Sequence, residues 1–385
     1  MPPETDDTGH ENQASLSFSG HAPVTGARRV PGCIEHMPAY DAFLLLSFGG
    51  PEGPDDVLPF LENVTEGRGV PAARLAEVAE HYYAAGGVSP INGQCRDLLG
   101  AIGAAGMDLP AYWGNRNWRP LLADTVRQMA ADGVRHAVAF VTSAYSSYSA
   151  CRQYRDDIEA AVAAAGPGAP RIDKIRPYFN HPGFIEPFAA SAAAALATLP
   201  ADVREGARLV FTAHSVPLGM AAVSGSASAG TVVPGPGGRY VAELTEASRL
   251  IAERTRGGTL PWDLVFQSRS GPPSVPWLEP DVNDHLRVLA KDGVPAVVAV
   301  PVGFVSDHME VVHDLDVEAA ETAASLGLAF ARATAPGSSA RFARMVGELV
   351  AERTSGAPAL ALGGFGPAAG DCPADCCRYA RPGRS

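Results

Sequence analysis

Short apolar runs alternate with longer amphipathic stretches along most of the chain. The runs are continuously apolar, as expected of parallel strands that are covered on both faces. We predict strands over the segments 41–48, 109–113, 136–144, 207–213, 262–267, 296–302 and 327–332. We predict helices over the segments 71–85, 93–105, 119–132, 150–165, 182–198, 239–256, 281–292, 316–325 and 337–354.

This alternation of strands and helices is typical of βαβ units, and it runs twice along the chain. The fold class that follows is α/β, with two similar doubly wound, Rossmann-like lobes, each built on a parallel sheet. We expect the first lobe over residues 39–203 and the second over 204–332, with the loop 222–238 as a flexible insertion. Three further segments complete the predicted organisation: a disordered tail over 1–38, a closing helix over 333–356 and a Cys-rich tail over 357–385.

Composition and charge narrow the class of protein. The chain has 385 residues, of which 46% are hydrophobic, so it can bury a sizeable core. A formal net charge of −12 argues against a nucleic-acid partner, because such a surface repels phosphates. The sequence shows neither a secretory signal at its start nor an apolar stretch of the roughly 20 residues that a membrane span needs. We therefore predict a cytoplasmic protein without a transmembrane segment.

An unusual run of titratable residues follows the apolar segment near residue 300. The stretch "VVAVPVGFVSDHMEVVHDLDVE" covers residues 297–318 and contains Glu310, Asp314 and Glu318 at a spacing of four. On a helix this spacing places three carboxylates on one face. A solvated acidic face is one explanation, and a path for a divalent cation that leads to a cleft is the other. The strand end just before Glu310, and the imidazoles of His308 and His313, favour the cation path.

A second candidate lies at the end of the predicted strand 207–213. In "FTAHSVP", residues 211–217, His214 follows the strand directly. Ligands of open α/β sheets bind outside the carboxyl ends of the strands, so His214 and Glu310 are expected to face one cleft. A core histidine is the alternative for His214 taken alone. Together, an imidazole and a carboxylate can remove protons or transfer a metal.

Aromatic and cationic residues also follow several strands. The aromatic residues at these positions are Phe48, Trp113, Tyr145, Tyr148, Trp277 and Phe304. Singly each fits an ordinary core position, but together they indicate a flat apolar ligand between the lobes. Arg68, Arg116 and Arg269 are candidates to pair with peripheral carboxylates of that ligand, or are ordinary surface charges.

Several of these motifs together resemble the ferrochelatase family, which inserts Fe(II) into a porphyrin. They are "LLLSFGGPEG", "GGVSPING", "FTAHSVP", "QSRSGPPSVPWLEPDV" and "VPVGFVSDHMEVVHDLDVE". The resemblance runs from about residue 40 to 355 and implies two lobes with a porphyrin cleft between them. It implies that Fe(II) and a porphyrin are the substrates, and that His214 and Glu310 are catalytic and bind the metal from opposite sides of the ring.

The resemblance also implies further site residues. Asp314 and Glu318 match the family's acidic ladder behind Glu310, which would make them metal ligands. The residues that the resemblance places near the porphyrin are Phe48, Arg68, Ser89, Tyr148 and Trp277. The chain departs from the pattern at Phe48, where many bacterial members carry Tyr, and at His81, where some carry a propionate-binding Arg.

Three of the six cysteines are crowded into "DCPADCC" near the C-terminus: Cys372, Cys376 and Cys377. Such a group of thiols is typical of a metal or iron–sulfur site, and a loosely ordered reduced tail is the alternative. The family resemblance implies a [2Fe–2S] cluster, because some actinobacterial members hold one with three C-terminal cysteines and one internal cysteine. Cys151 fits the internal position better than Cys33 or Cys95.

The resemblance leaves several functions open. Actinobacterial members mostly convert coproporphyrin III to coprohaem in haem biosynthesis, and the alternative substrate is protoporphyrin IX. A chelatase of the same fold that acts on a corrin precursor is disfavoured, since such enzymes tend to use two or more His at the site. A non-enzymatic haem-binding or iron–sulfur sensor protein is a third possibility. A downstream haem-pathway protein that accepts the product is a predicted partner.

Overall fold

Two parallel sheets form the framework of the protein. The computed structural model describes residues 40–67, 69–271 and 274–379. The described strands are β1 (Ala42–Ser47), β2 (Ala111–Asn115), β3 (His136–Val141), β4 (Arg171–Lys174), β5 (Arg208–His214), β6 (Trp262–Gln267), β7 (Ala296–Val300) and β8 (Ala329–Arg332). They pair in the orders β2-β1-β3-β4 and β6-β5-β7-β8, and every pairing is parallel. The same order in both sheets confirms the predicted two-lobed α/β fold.

The strands β1, β3 and β7 are buried along their whole length, which explains why their apolar runs are unbroken. Each of the seven predicted strands is present within a few residues. The eighth, β4, has the polar sequence RIDK and lies at the sheet edge, where solvent covers part of each side chain. Its polarity is the reason that hydrophobic pattern alone missed it.

The described helices are α1 (Pro54–Thr65), α2 (Ala72–Ala84), α3 (Ile91–Ala104), α4 (Leu122–Ala131), α5 (Gln153–Ala165), α6 (Pro182–Thr198), α7 (Leu218–Ala222), α8 (Gly238–Arg254), α9 (Val282–Lys291), α10 (Met309–Val311), α11 (Ala320–Leu326) and α12 (Ala340–Thr354). Two π-helical segments, Tyr148–Arg152 and Val312–Ala319, precede α5 and α11. Short 3₁₀ turns span Arg204–Gly206 and Arg256–Gly258. The sequence did not predict α1, which contains Pro59.

Helices cross between the two sheets and tie the lobes together. The helix α6 packs against β7 and β8 of the second sheet, and α12 packs against α6 and against α3 of the first lobe. Phe342 on α12 contacts Phe140 of β3 and Tyr178 at ring-centroid distances of 6.0 and 6.3 Å. The main hydrophobic core therefore continues from one sheet to the other within one compact unit. The predicted domain boundaries stay predictions.

Some predictions fall outside the described residues: the tail 1–38, Cys33 and Arg68. Among the described residues, none of the helices combines the length and the apolar character that crossing a membrane requires. The carboxyl ends of β5, β6 and β7 meet at one edge of the second sheet, and the candidate site lies there.

Candidate active site

His214 is the last residue of β5, the strand that lies between β6 and β7. Its Nδ1 contacts the backbone carbonyl oxygen of Ser215. Because a carbonyl oxygen only accepts, Nδ1 carries the proton, and in the neutral ring Nε2 is left with a free lone pair. The hydroxyl of Tyr240 on α8 donates to the carbonyl oxygen of His214 at 3.1 Å and holds the strand end in place.

Glu310 reaches His214 from the neighbouring strand β7. The loop after β7 returns over β5, where Gly303 N–H donates to the carbonyl oxygen of Thr212 at 3.0 Å. A Cβ at Gly303 would lie only 2.6 Å from that of Ala213, so this close approach requires glycine. Glu310 lies in the first turn of the next helix, and its Oε2 lies 3.6 Å from Nε2 of His214. The structure thus brings together the two residues that were predicted to share a cleft.

The acidic row lies on a helix that changes its winding. Helical structure starts at Met309, earlier than the predicted 316, and runs through the π-helix Val312–Ala319 to Leu326. Residues four apart stay near one face in both α- and π-winding, so Glu310, Asp314 and Glu318 form the predicted row. π-Helical segments are rare and occur frequently at functional sites.

Asp314 is the least exposed member of this row. Ser268 Oγ donates a hydrogen bond to its Oδ2, and Gln267 Nε2 donates to the same oxygen at 3.2 Å. Burial raises the pKa of Asp314 to about 6, and the neighbouring Glu310 and Glu318 add to the rise while Ser268 opposes it. Asp314 therefore takes up a proton more readily than an ordinary aspartate does.

Ser268 and Gln267 were not named as candidates from the sequence. Gln267 ends β6 beside His214 and is 1% exposed, and within the described part of the chain its Oε1 has no hydrogen-bond partner. Ser268 has a positive φ of 60°, which is unusual for a residue other than glycine. Their position at the carboxyl end of a strand, with Gln267 last in β6 and Ser268 next, was the signal that could have identified them.

Histidines surround the outer part of the row. His313 Nε2 lies 3.2 Å from Oε1 of Glu318, an ion-pair distance without hydrogen-bond geometry. The ring of His313 stacks on that of His81 from α2, with the centroids 3.9 Å apart. Burial lowers the pKa of His81, and His313 lowers it further. This stack joins the first lobe to the π-helix of the second.

Two predicted porphyrin contacts lie on the first lobe, close to the end of β1. Phe48 packs edge-on against Phe60 of α1, with ring centroids 6.4 Å apart. Ser89 is buried, and its N–H donates to the carbonyl oxygen of Pro51 at 2.9 Å. Arg116, a candidate for a ligand carboxylate, instead forms an ion pair with Asp157. Its charge is already compensated inside the protein.

Further aromatic and cationic candidates lie after β3 of the first sheet and after β6 of the second sheet. Tyr148 begins the π-helical turn Tyr148–Arg152 and contacts Tyr379 of the C-terminal tail at 6.2 Å between ring centroids. Trp277 pairs through its backbone with Pro217, shortly after His214, and its buried Nε1 finds no hydrogen-bond partner among the residues that the structure describes. Tyr145 is a core residue whose hydroxyl donates to the carbonyl oxygen of Val302 at 2.8 Å. Arg269 lies 3.7 Å from Glu279 and is partly exposed.

The four cysteines predicted as cluster ligands line a single cavity, which Cys151, Cys372, Cys376 and Cys377 share with Arg152, Arg155 and Lys174. Cys376 Sγ lies 3.8 Å from Cys377 Sγ. The interaction with the neighbouring Cys372 thiol, followed by burial, raises the pKa of Cys151 well above its ordinary value. In the described part of the chain, the side chains as they stand place no three His, Cys, Asp or Glu residues in a metal-binding arrangement.

The tail that carries three of these cysteines is anchored at several points. Cys377 N–H donates to the carbonyl oxygen of Gly225 at 2.6 Å, and Gly225 N–H donates to Cys377 Sγ at 3.3 Å. The carboxylate of Asp375 accepts hydrogen bonds from Ser226 and Ser228. These bonds, led by the backbone N–H of Ser228, lower the pKa of Asp375 to about 2. The tail therefore fastens the predicted insertion loop to the cysteine cavity.

Cys95 lies elsewhere, on α3 in the main core, and burial raises its pKa to about 11. It packs as an apolar side chain.

The fold and this site define a member of the ferrochelatase family, and the chain belongs to that family: the family model named Ferrochelatase matches residues 40–354. Several similar proteins are named coproporphyrin III ferrochelatase. One from Nocardia farcinica is 56% identical over 90% of this chain and 100% of its own length. Another from Streptomyces griseus is 53% identical over 89% of this chain and 94% of its own length. One from Streptomyces coelicolor is 51% identical, with coverages of 92% and 97%.

Solved structures with a related arrangement include SirB from Bacillus subtilis with Fe3+. It has a TM-score of 0.48 and 12% sequence identity, over 82% of this chain and 95% of that one. The sirohydrochlorin chelatase SirB from Bacillus subtilis subspecies spizizenii in complex with cobalt has a TM-score of 0.44 and 11% identity, over 81% and 94%.

Proposed function

We propose that this protein inserts Fe(II) into coproporphyrin III to give coprohaem, as a lyase of haem biosynthesis. The observation that carries the reaction type is the imidazole of His214 facing the carboxylate of Glu310 at 3.6 Å, where two neighbouring strands end. The choice of coproporphyrin III rests on the relatives, which share half or more of their residues with this chain over nearly its whole length.

Metallation exchanges two pyrrole N–H protons for one Fe(II), so the site must accept two protons for each metal ion delivered. His214 is suited to accept the first pyrrole proton, because its Nδ1–H donates to the Ser215 carbonyl and its Nε2 can accept a proton. Glu310 is positioned to take a proton from His214 or to hold the incoming metal. Asp314, with its pKa of about 6, is the next acceptor along the row.

The same row provides a path for Fe(II). Carboxylate and imidazole groups are suitable ligands for this borderline cation. Glu310 and Glu318 are both about half exposed, and Asp314 between them is partly buried. Glu318 is the acid farthest along the helix from Glu310, which faces His214. We infer that Fe(II) passes from Glu318 to Asp314 and Glu310. Because 3.6 Å between Glu310 and His214 leaves no room for a ring, a bound porphyrin must part these two side chains. The two pyrrole protons that these groups accept reduce the negative charge of the row as the metal leaves it.

The aromatic and polar residues of the cleft are proposed to hold the ring. Phe48 and Ser89 would contact it from the first lobe, and Tyr148 and Trp277 would contact it beside His214, with Arg68 as a further candidate outside the described residues. A rigid cleft of this kind accelerates metallation if it fits the bent ring of the transition state better than the flat substrate. Coproporphyrin III carries two more propionates than protoporphyrin IX, which supplies the chemical difference that the cleft must recognise.

We further propose that Cys151, Cys372, Cys376 and Cys377 hold a [2Fe–2S] cluster. Their fit is supported by the shared cavity and by the Gly225 N–H that donates to Cys377 Sγ, a contact that also suits a thiolate ligand. When bound, such a cluster supplies reversible one-electron chemistry. Iron insertion transfers no net electron, so the proposed role is structural or regulatory.

The reaction is tested by anaerobic Fe(II) insertion with purified protein, given coproporphyrin III and protoporphyrin IX in parallel. Turnover with a strong preference for coproporphyrin III is expected. A preference for protoporphyrin IX would contradict coproporphyrin III as the substrate. Binding of either ring without metallation would contradict the proposal that the protein is an enzyme.

A further inference from the structure

Lysine is rare in this chain, and one of its two lysines lies beside the four thiols. Lys174 and Lys291 are the only lysines among 385 residues, and arginine supplies the other permanent side-chain cations. Lys291 is exposed in the last turn of α9. Lys174 ends β4, is half-buried, and lines the cysteine cavity. Lys291 therefore lies on the surface, whereas Lys174 lies in the cysteine cavity.

The two arginines of this cavity are already paired. Arg152 Nε lies 2.7 Å from Asp156 Oδ1, and Arg155 Nε lies 3.0 Å from Glu159 Oε1. Their remaining N–H groups donate to backbone carbonyls of the tail, including that of Cys372 at 3.0 Å from Arg155. These arginines therefore fasten the tail, and neighbouring carboxylates compensate their charges.

Lys174 has no such compensation. Its Nζ donates to the carbonyl oxygen of Ile175 at 3.0 Å, and within residues 40–67, 69–271 and 274–379 it forms no ion pair with a carboxylate. It lines the same cavity as Cys151, Cys372, Cys376 and Cys377. Among the described residues that line this cavity, Lys174 is consequently the cation that no carboxylate pairs, and it lies beside the proposed ligands.

We propose that Lys174 stabilises the reduced state of the iron–sulfur cluster and thereby raises its reduction potential. This inference rests on the cluster proposed above. A [2Fe–2S] core with four thiolates carries a net charge of about −2, and one added electron makes it about −3. A nearby ammonium lowers the energy of the reduced cluster more than that of the oxidised cluster, because the Coulomb attraction grows with the negative charge of the cluster. Net charge and hydrogen bonds to sulfur are the levers that set such potentials.

The proposal is tested by replacing each lysine with the neutral, similarly long Met in the full chain. Wild type, Lys174→Met and the control Lys291→Met are reduced stepwise with dithionite under anaerobic conditions, and the reduced cluster is followed by electron paramagnetic resonance. Lys174→Met should titrate at a more negative potential than wild type, with unchanged iron and sulfide content. Lys291→Met should titrate together with wild type.

Two further variants keep the test decisive if Lys174→Met does not assemble its cluster. Lys174→Arg keeps the positive charge and should retain the wild-type potential, whereas Lys174→Gln should shift it as Met does. An unchanged potential in the neutral variants would overturn the role of Lys174 while leaving the cluster intact. A wild-type protein that shows no iron–sulfur signal would instead refute the cluster, and this inference with it.

Discussion

Ser268 donates a hydrogen bond to the carboxylate of Asp314, and it does so from a backbone conformation with a φ of 60°. Strained residues of this kind persist only where the surrounding structure holds them, and they cluster at functional sites. The bond fixes a carboxylate whose pKa burial raises to about 6. Asp314 is thus held in a position that is unfavourable for its charge, which indicates a functional reason for keeping it.

Asp314→Asn should therefore stabilise the protein above about pH 6 while it impairs iron insertion. The folded pKa of Asp314 lies above its ordinary value of 3.8, so the folded state binds the proton more tightly than the unfolded state. Stability is lost as the pH rises from about 4 to about 6, and the loss persists at higher pH. Asn removes the cost of burying a charged carboxylate, so we expect the free energy of unfolding to rise by about 1–3 kcal/mol at neutral pH.

Urea unfolding of Asp314→Asn and wild type at several pH values measures this gain. The two stabilities should converge as the pH falls below about 4. A variant that is less stable than wild type at neutral pH would show that the charge of Asp314 is satisfied in the fold, contrary to the raised pKa. Asp316→Asn, which removes an exposed carboxylate from the same helix, is the matched control, although it breaks an ion pair with Arg332.

His214→Ala should abolish iron insertion and leave porphyrin binding in place. The reason is that Nε2 of His214 is the proposed base beside Glu310, whereas the aromatic residues of the cleft are proposed to hold the ring. Loss of a positioned base costs about 100- to 10,000-fold in rate. Insertion is measured by the change in porphyrin absorbance, and binding by fluorescence titration. His285→Ala, which removes an imidazole bound to Asp263 in the same lobe, is the control and should remain active. Substantial turnover by His214→Ala would exclude His214 as the base.

Glu318→Gln should raise the apparent KM for Fe(II) several-fold and change kcat much less. Glu318 is exposed and lies at the end of the row away from His214, so its proposed role is to capture the metal before the metal reaches the porphyrin. Steady-state insertion rates at varied Fe(II) and saturating porphyrin separate the two constants. Glu321→Gln, an exposed acid one turn further along, provides a control of equal charge change. The proposed iron path would be contradicted by an unchanged KM in Glu318→Gln.

The sequence predicted those features that depend on buried, uninterrupted strands. Because parallel strands are covered on both faces, their apolar runs are easy to locate, and the residues that follow them lie at one sheet edge. His214 and Glu310 were identified for this reason. The edge strand β4 was missed because its sequence is polar. The helix α1 was missed although Val57, Phe60, Leu61 and Val64 have helical spacing, and its internal Pro59 is the feature that argues against a helix there.

Other features depend on contacts between residues far apart in the sequence. The π-helix cannot be told from an α-helix by apolar spacing over so few residues, and the stack of His81 on His313 joins two lobes. The hydrogen bond from Ser268 to Asp314 likewise depends on the packing of the β6 end against this helix. Such pairs are set by tertiary packing, which local pattern does not encode.

Cys376→Ser should remove the visible iron–sulfur absorbance and loosen the tail. The thiol of Cys376 lies between those of Cys372 and Cys377 in the cavity, and a hydroxyl is a much poorer ligand for iron. Absorbance spectra and iron content of the purified variant measure cluster loss, and limited proteolysis reports on residues 357–379, which the cysteine contacts fasten to Gly225 and Arg155. Cys95→Ala, which alters a core cysteine, should keep the spectrum. A spectrum that persists in Cys376→Ser and disappears in Cys95→Ala would assign the cluster to a different set of thiols.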